Sequence, residues 1–242
     1  MKIVTIGDIH SRQCWKNLVK EVADLYIFVG DYVDSFTHTD KEIIDNLLDI
    51  IYFAQNNNTI LLKGNHDIQY EYGYDKYGCS GYRISMLKSL QDIFFNYKDL
   101  FRIAYEYYDK ITDQKYLWTH AGITKRWWNK YENDINTAYT KDNYSSLSEI
   151  LNDMPNNEKF RDILFECGEE NGGYRYNVSG PLWARPNDHR QYYPFDSYHQ
   201  IVGHTPHFDI TTYNKFMDKK FDDRSITFVD CLDKINKSYI MH

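Results

Sequence analysis

Five short segments place carboxylates, an amide and imidazoles directly after apolar runs. They are Gly7-Asp8-Ile9-His10, Gly30-Asp31-Tyr32-Val33-Asp34, Gly64-Asn65-His66-Asp67, Thr119-His120-Ala121-Gly122 and Val202-Gly203-His204-Thr205-Pro206. Hard oxygen donors and borderline nitrogen donors of these kinds are the parts of a hydrolytic site built on two metal ions. Taken singly, each segment has an ordinary explanation. An Asp-x-His pair is commonly a solvated loop, and Gly, Asn and Asp favour turns for local reasons. His120, after Trp118, suits a hydrogen-bonded core histidine. The series of five in order is what gives the metal reading its weight.

Each segment needs an element to aim it. Lys2 to Ile6 is a short β-branched run, as expected of a strand buried in a parallel sheet. Gly7 then permits backbone angles that other residues avoid. In extended chain, positions i and i+2 point the same way, so Asp8 and His10 can share one cation. Leu25 to Val29, Thr59 to Leu62, Tyr116 to Trp118 and Ile201 to Val202 repeat the design ahead of the other four segments. Ligands of open α/β sheets bind beyond the carboxyl ends of strands, and all five segments would lie there. The intervals from Asp8 to Asp31 and from Asp31 to Asn65 each leave room for a crossover helix.

The ordered motifs resemble those of the calcineurin-like metallophosphoesterase superfamily, and within it the phosphoprotein phosphatase-like branch found in bacteria and phages. The family pattern GDxH, GDxVD, GNH[DE], H[AG]G and GH reads here as Gly7 to His10, Gly30 to Asp34, Gly64 to Asp67, His120 to Gly122 and Gly203-His204. Gly180 to Pro186 also looks like a segment that precedes the last metal histidine in that branch. The resemblance implies a four-layer α/β/β/α sandwich. It implies two divalent metal ions, with manganese the working choice and iron–zinc the rival. Asp8, His10 and Asp31 would hold the first metal, and Asp31, Asn65, His120 and His204 the second, with Asp31 bridging. A bridging carboxylate offsets the repulsion of two dications roughly 3.5–4 Å apart. His66 would be the general acid that protonates the leaving group, oriented by Asp34. The nucleophile would be a water or hydroxide shared by the two metals, so no covalent phosphoenzyme is expected.

The chain departs from the pattern at one informative place. Relatives of this branch usually carry Arg-Gly after the second aspartate of GDxVD, whereas this chain has Ser35-Phe36. A bidentate guanidinium clamp on phosphate is lost there, and a serine cannot replace its charge. Arg185 is the first candidate for a compensating substrate-binding cation and Arg12 the second. A smaller departure is Asp67, where this branch usually has Glu. His207 lies three residues after His204 rather than two, so it is not placed among the ligands. His38, His189, His199 and His242 gain no support from the pattern either.

Composition bounds the setting. The chain has 242 residues, and its charged and apolar fractions of 26% and 42% suit one ordinary globular domain over 1–242. A formal net charge of −7 gives no general basic face for nucleic acid. No stretch is long and apolar enough to span a membrane, and the N-terminus lacks a secretory pattern. Cys14, Cys79, Cys167 and Cys231 are scattered without a CxxC pair, which suits reduced thiols in a cytoplasmic protein. Helical patterns are expected over Cys14 to Val22, Lys41 to Gln55 and Ile84 to Phe95, and a mostly helical insertion over about residues 124–170. Tyr70 to Ser80 is rich in Tyr and Gly with weak periodicity. Strands are expected at Ile103 to Tyr108 and Gln114 to Trp118 around an Asp109–Asp113 turn, and at Ser225 to Val229. The 23 tyrosines fit half-buried sheet edges better than a nucleobase-stacking rim.

The expectation is therefore an enzyme, a metal-dependent phosphatase acting on phosphate monoesters of phosphoprotein or nucleotide type. A phosphodiesterase or dinucleoside polyphosphate hydrolase is the enzymatic alternative. A metal-binding scaffold impaired in catalysis is the alternative of another class.

Overall fold

The structure, a computed structural model, describes residues 1–140, 143–216 and 219–242. The chain begins β1 (Ile3–Ile6), α1 (Trp15–Leu18), β2 (Leu25–Phe28), α2 (Asp40–Asn56), β3 (Thr59–Leu62), α3 (Asn65–Tyr72), α4 (Tyr74–Tyr77), α5 (Leu87–Asn96) and β4 (Phe101–Arg102). It continues with β5 (Ala104–Asp109), β6 (Gln114–Thr119), α6 (Lys125–Ala138), α7 (Leu147–Asp153), α8 (Glu158–Leu164) and α9 (Pro186–Tyr192). It closes with β7 (His199–Val202), β8 (Thr211–Tyr213), β9 (Lys215–Phe216), β10 (Lys219–Lys220), β11 (Ser225–Phe228) and β12 (Tyr239–Met241). These elements form two compact units. The first comprises Met1–Arg102, Pro206–Ile210 and Val229–His242, and the second Ile103–Thr205 and Thr211–Phe228.

The first unit holds a sheet of order β12-β1-β2-β3-β4. Strands β1 to β4 run parallel, and β12 pairs antiparallel with β1. Every residue of β1 and β2 is buried, so these strands are covered on both faces rather than alternating between core and solvent. Helix α2 starts with a reciprocal cap: the Thr39 hydroxyl accepts the Glu42 N–H, and the Glu42 carboxylate accepts the Thr39 N–H. Its Ile43, Leu47, Ile50, Ile51 and Ala54 recur at helical spacing and join Val4, Tyr26, Phe28 and Leu61 of the strands in one core.

One helical expectation is corrected here, and one stretch left without an assignment is resolved. Helix α1 covers only Trp15–Leu18, short of Val22. Beyond Leu18 the backbone continues only as turns, with the Lys20 N–H on the Asn17 carbonyl (3.4 Å) and the Glu21 N–H on the Leu18 carbonyl (3.3 Å), and the Tyr26 hydroxyl bonds the carbonyls of Glu21 (2.8 Å) and Val19 (3.4 Å). The weakly periodic stretch after His66 is helical: α3 begins at Asn65 itself, and Gly73, at φ +107°, separates it from α4.

The second unit holds a sheet of order β5-β6-β7-β11-β8. Strands β5 and β6 form the expected hairpin, with Ala104 opposite Thr119. Strands β6, β7 and β11 run parallel, and β8 closes the edge antiparallel. Residues 125–164 contribute α6, α7 and α8, capped by Thr124, Ser146 and Asn157 side chains. Two multi-strand sheets carrying helices are consistent with the calcineurin-like metallophosphoesterase fold expected from the motifs. No helix of the described residues is long and apolar enough to cross a membrane.

Candidate metal and phosphoester site

In the first unit, three strand-end loops are tied into one body. The Asp31 carbonyl accepts the N–H groups of both Ile9 (3.1 Å) and His10 (2.7 Å), which joins the loop after β1 to the loop after β2. The Asp67 carboxylate accepts the backbone N–H groups of Asp31 (2.8 Å), Tyr32 (3.0 Å) and Gly64 (2.9 Å). One buried side chain thus fixes the loops after β2 and β3 together. Gly30 and Gly64 lie against each other where these loops meet, and a Cβ on either would strike the other's backbone or the Asp31 side chain. His10, Asp31 and Asp34 adopt left-handed backbone angles, with φ of 40°, 51° and 61°. Such angles cost non-glycine residues of order 1–3 kcal/mol each and persist only where surrounding contacts enforce them.

The side chains follow from that frame. His10 Nδ1 lies 3.0 Å from the Val33 carbonyl and donates to it, which leaves Nε2 as a lone-pair nitrogen 3.6 Å from Asp31 Oδ2. Burial holds the His10 ring below its usual pKa against the opposing pull of Asp31, so a neutral imidazole faces a carboxylate. Two lone-pair donors facing across that gap suit a cation, and the donor set passes this test for a metal. His66 is treated oppositely. Burial opposes its protonation, yet the Asp31 charge and the Asp34 hydrogen bond raise its pKa well above the usual value. Its Nδ1 lies 3.0 Å from Asp34 Oδ2, and its ring meets that of His10 edge to face at 4.9 Å. One potential ligand atom from each of His10, Asp31 and His66 lies within 4.8 Å of the others.

Asp34 is itself held on several sides. Tyr70 donates its hydroxyl to Oδ1 at 2.5 Å, and the Gln69 amide donates to Oδ2. The Tyr70 hydroxyl in turn accepts the Arg83 N–H, and the Gln69 side-chain oxygen accepts the Cys79 N–H. Asp8 and Asn65 are buried at their loop positions. Arg12 is half-buried, with Nη1 donating to the carbonyls of Asp8 (3.2 Å) and Ile9 (3.4 Å). At the departure from the family pattern, Ser35 is buried and its hydroxyl lies 2.8 Å from His38 Nδ1. Arg83 approaches the same loop, but it donates to the carbonyls of Ser35 and His38 and pairs with Asp40. Its charge is neutralised there.

In the second unit, His120 follows β6 and His204 follows β7, both buried, with ring centroids 5.1 Å apart. The Gly203 N–H donates to the His120 carbonyl at 2.8 Å, and His204 adopts φ 66°. Trp183 packs edge-on against His204. His189 packs under the loop after His120: its Nε2 meets the Ala121 carbonyl at 3.0 Å, and Gly122 leaves room for the ring. Arg185 caps α9. Its N–H donates to Asp188, which Asn171 also contacts while bonding Ser179 and the Trp183 carbonyl. The Arg185 side chain is half-buried. His207 lies in the first unit, where its N–H donates to the Asp230 carbonyl, and His38 and His199 are engaged by Ser35 and Ser225.

The loop-bracing roles of Asp67, Gln69 and Tyr70, and the place of Cys79 beside His66, were not read from the sequence. Asp67 alone carried a signal there, as an acid at a motif position.

Comparison with known proteins gives one decisive match. A family model described as calcineurin-like phosphoesterase matches residues 1–208. The chain belongs to that family. It is therefore a hydrolase of phosphoesters, and a family member's metal dependence accords with the clustered His and Asp side chains. Among solved structures, the chain is similar to a protein serine/threonine phosphatase from Saccharomyces cerevisiae that is described as having similarity to human phosphatase PP5. That match has 15% identity and a TM-score of 0.45, and covers 94% of this chain and 67% of that one. The phosphatase domain of the Legionella effector WipB matches at 16% identity with a TM-score of 0.37, covering 62% of this chain and 57% of that domain. No curated protein matches the chain.

Proposed function

We propose that this phosphoesterase is a phosphatase of phosphate monoesters, of phosphoprotein or nucleotide type, working with two divalent metal ions. The observation that carries the reading is the opposite placing of His10 and His66 around Asp31: His10 turns its free Nε2 to the Asp31 carboxylate, whereas His66 sets its Nδ1 on the Asp34 carboxylate, and the two pKa values shift in opposite directions. Paired groups pushed apart in this way mark a ligand and an acid. Asp8, His10, Asp31, Asn65, His120 and His204 would hold the metals, as the family pattern implies. Carboxylates favour manganese and imidazoles equally suit iron and zinc, and manganese remains the working choice. When bound, the metals supply charge for the phosphoryl oxygens and an activated water for direct attack.

The chain's own residues do the rest. His66 holds a proton on the nitrogen remote from Asp34 and delivers it to the leaving-group oxygen. Asp34 keeps the ring oriented and supports its positive charge, while Tyr70 and Gln69 hold Asp34. Arg185 and Arg12 are the proposed phosphate-binding cations in place of the arginine missing after Asp34.

The test is turnover of p-nitrophenyl phosphate beside bis-p-nitrophenyl phosphate by the manganese-loaded protein, with Asp31→Asn as control. Preference for the monoester, and joint loss of metal and activity in Asp31→Asn, are the expected results. Preference for the diester would move the reading to a phosphodiesterase. Normal turnover and metal content in Asp31→Asn would overturn the ligand assignment. Two bound metals without turnover of either ester would favour the impaired scaffold.

A further inference from the structure

We propose that Asp34, His66 and Cys79 form a separate, inhibitory site for a sulfur-seeking divalent cation of the zinc class. This inference rests on the reading of His66 as the general acid. One potential ligand atom from each of the three residues lies within 4.8 Å of the others, a carboxylate oxygen, an imidazole nitrogen and a thiol sulfur. The first two are already spaced for one metal. His66 Nδ1 and Asp34 Oδ2 are 3.0 Å apart, near the roughly 3.3 Å that separates two donors on a tetrahedral zinc with bonds of about 2.0–2.1 Å.

The third donor is built in. The Cys79 N–H is bonded to the Gln69 side-chain oxygen at 2.9 Å, and its Sγ lies over the Asn65 carbonyl at 3.7 Å. Gln69 therefore anchors both the Asp34 carboxylate and the Cys79 backbone. Asp34 accepts three hydrogen bonds, from Tyr70, Gln69 and His66, and a carboxylate offers about four lone-pair sites. Replacing the His66 bond by a metal leaves the other two in place. Cys79 is a free, partly exposed thiol, which gives a cation an entry and leaves its fourth position to water.

The donor chemistry sets the selectivity. The proposed catalytic ligands contain only oxygen and nitrogen, whereas this cluster adds sulfur. Thiolate and imidazole together favour zinc over manganese or magnesium. Binding breaks the Cys79 S–H bond and displaces the proton shared by His66 and Asp34. Both protons pass to solvent as the metal–sulfur, metal–nitrogen and metal–oxygen bonds form, and no electron is transferred. The bound ion occupies the Asp34 and His66 atoms that pair in its absence and so takes the ring from its proposed task, and turnover falls while the six proposed ligands stay in place.

The test uses the manganese-loaded full chain with cadmium as the ultraviolet probe and zinc as the inhibitor. A thiolate-to-cadmium charge-transfer band is expected in the wild type and lost in Cys79→Ser, with Cys14, Cys167 and Cys231 retained. Zinc should inhibit the wild type at concentrations at least tenfold lower than Cys79→Ser, each protein normalised to its own rate without zinc. Equal bands or equal zinc sensitivity would overturn the site. In the wild type alone, one equivalent of zinc should protect Cys79 from iodoacetamide, read by mass spectrometry, and undiminished alkylation would equally overturn it. If instead the phosphatase reading fails, turnover is absent with or without zinc while the band and the protection remain.

Discussion

At the scale of single residues, the site separates groups by what their surroundings do to a proton. His66→Asn leaves the proposed metal ligands in place and removes the proposed acid. It should lower kcat by on the order of 10²-fold or more on esters with poor leaving groups, and far less on p-nitrophenyl phosphate. A series of aryl phosphates of graded leaving-group pKa measures this, and equal losses across the series would argue against the acid role. The placing of His66 beside Asp34 and Asp31 was legible in the sequence because these residues sit in two short contiguous motifs behind neighbouring strands. Gln69, Tyr70 and Cys79 were not legible. Their part depends on the direction in which a helix leaves the motif and on how residues 79–83 fold back beneath Asp34, neither of which a local pattern encodes.

At the scale of elements, α3 is the piece that sets the geometry. Asn65, His66, Asp67, Gln69 and Tyr70 all lie on its first two turns, so one rigid body presents a proposed ligand and a proposed acid and braces Asp31 and Asp34. Asp67→Ala would leave three buried N–H groups without their acceptor. It should cost roughly 3 kcal/mol or more of stability, measured by urea denaturation of the metal-free protein. A change under about 1 kcal/mol would show that water replaces the carboxylate. Strands β1, β2, β3 and β7 were legible because each is a short apolar run with Gly close behind it, whereas the two-residue β4 was not. Helix α3 was not, because its motif residues favour turns individually and its apolar positions lack the helical stripe seen in α2. The opposite error arose at α1, where the expected helix gives way after Leu18 to turns whose Val19 and Glu21 carbonyls accept the Tyr26 hydroxyl.

At the scale of the whole molecule, the division into two units was not legible, because segments 206–210 and 229–242 return to the first unit late in the chain. Sequence order conceals that interleaving. A pH dependence also belongs to this scale. Burial pushes the His189 imidazole down to about 4 beneath the loop that follows His120. The unfolded chain takes up this proton near pH 6.5, whereas the folded state resists it down to about 4. The stabilisation is thus complete above about pH 6.5 and is lost as pH falls through that window, by about 3 kcal/mol in all. Denaturation between pH 4 and 7 should show this slope, and it should flatten in His189→Gln. The pairing of β12 with β1 has another consequence. Ile3 sits opposite Met241, so 238 residues (241 − 3) are synthesised after β1 before its outer partner exists. At the usual pace of synthesis, about 5–20 residues per second, that edge stays bare for on the order of ten seconds or more. An unpaired apolar strand edge invites pairing between chains, so the yield of this protein in a cell should depend on chaperone capacity and translation speed as well as on final stability.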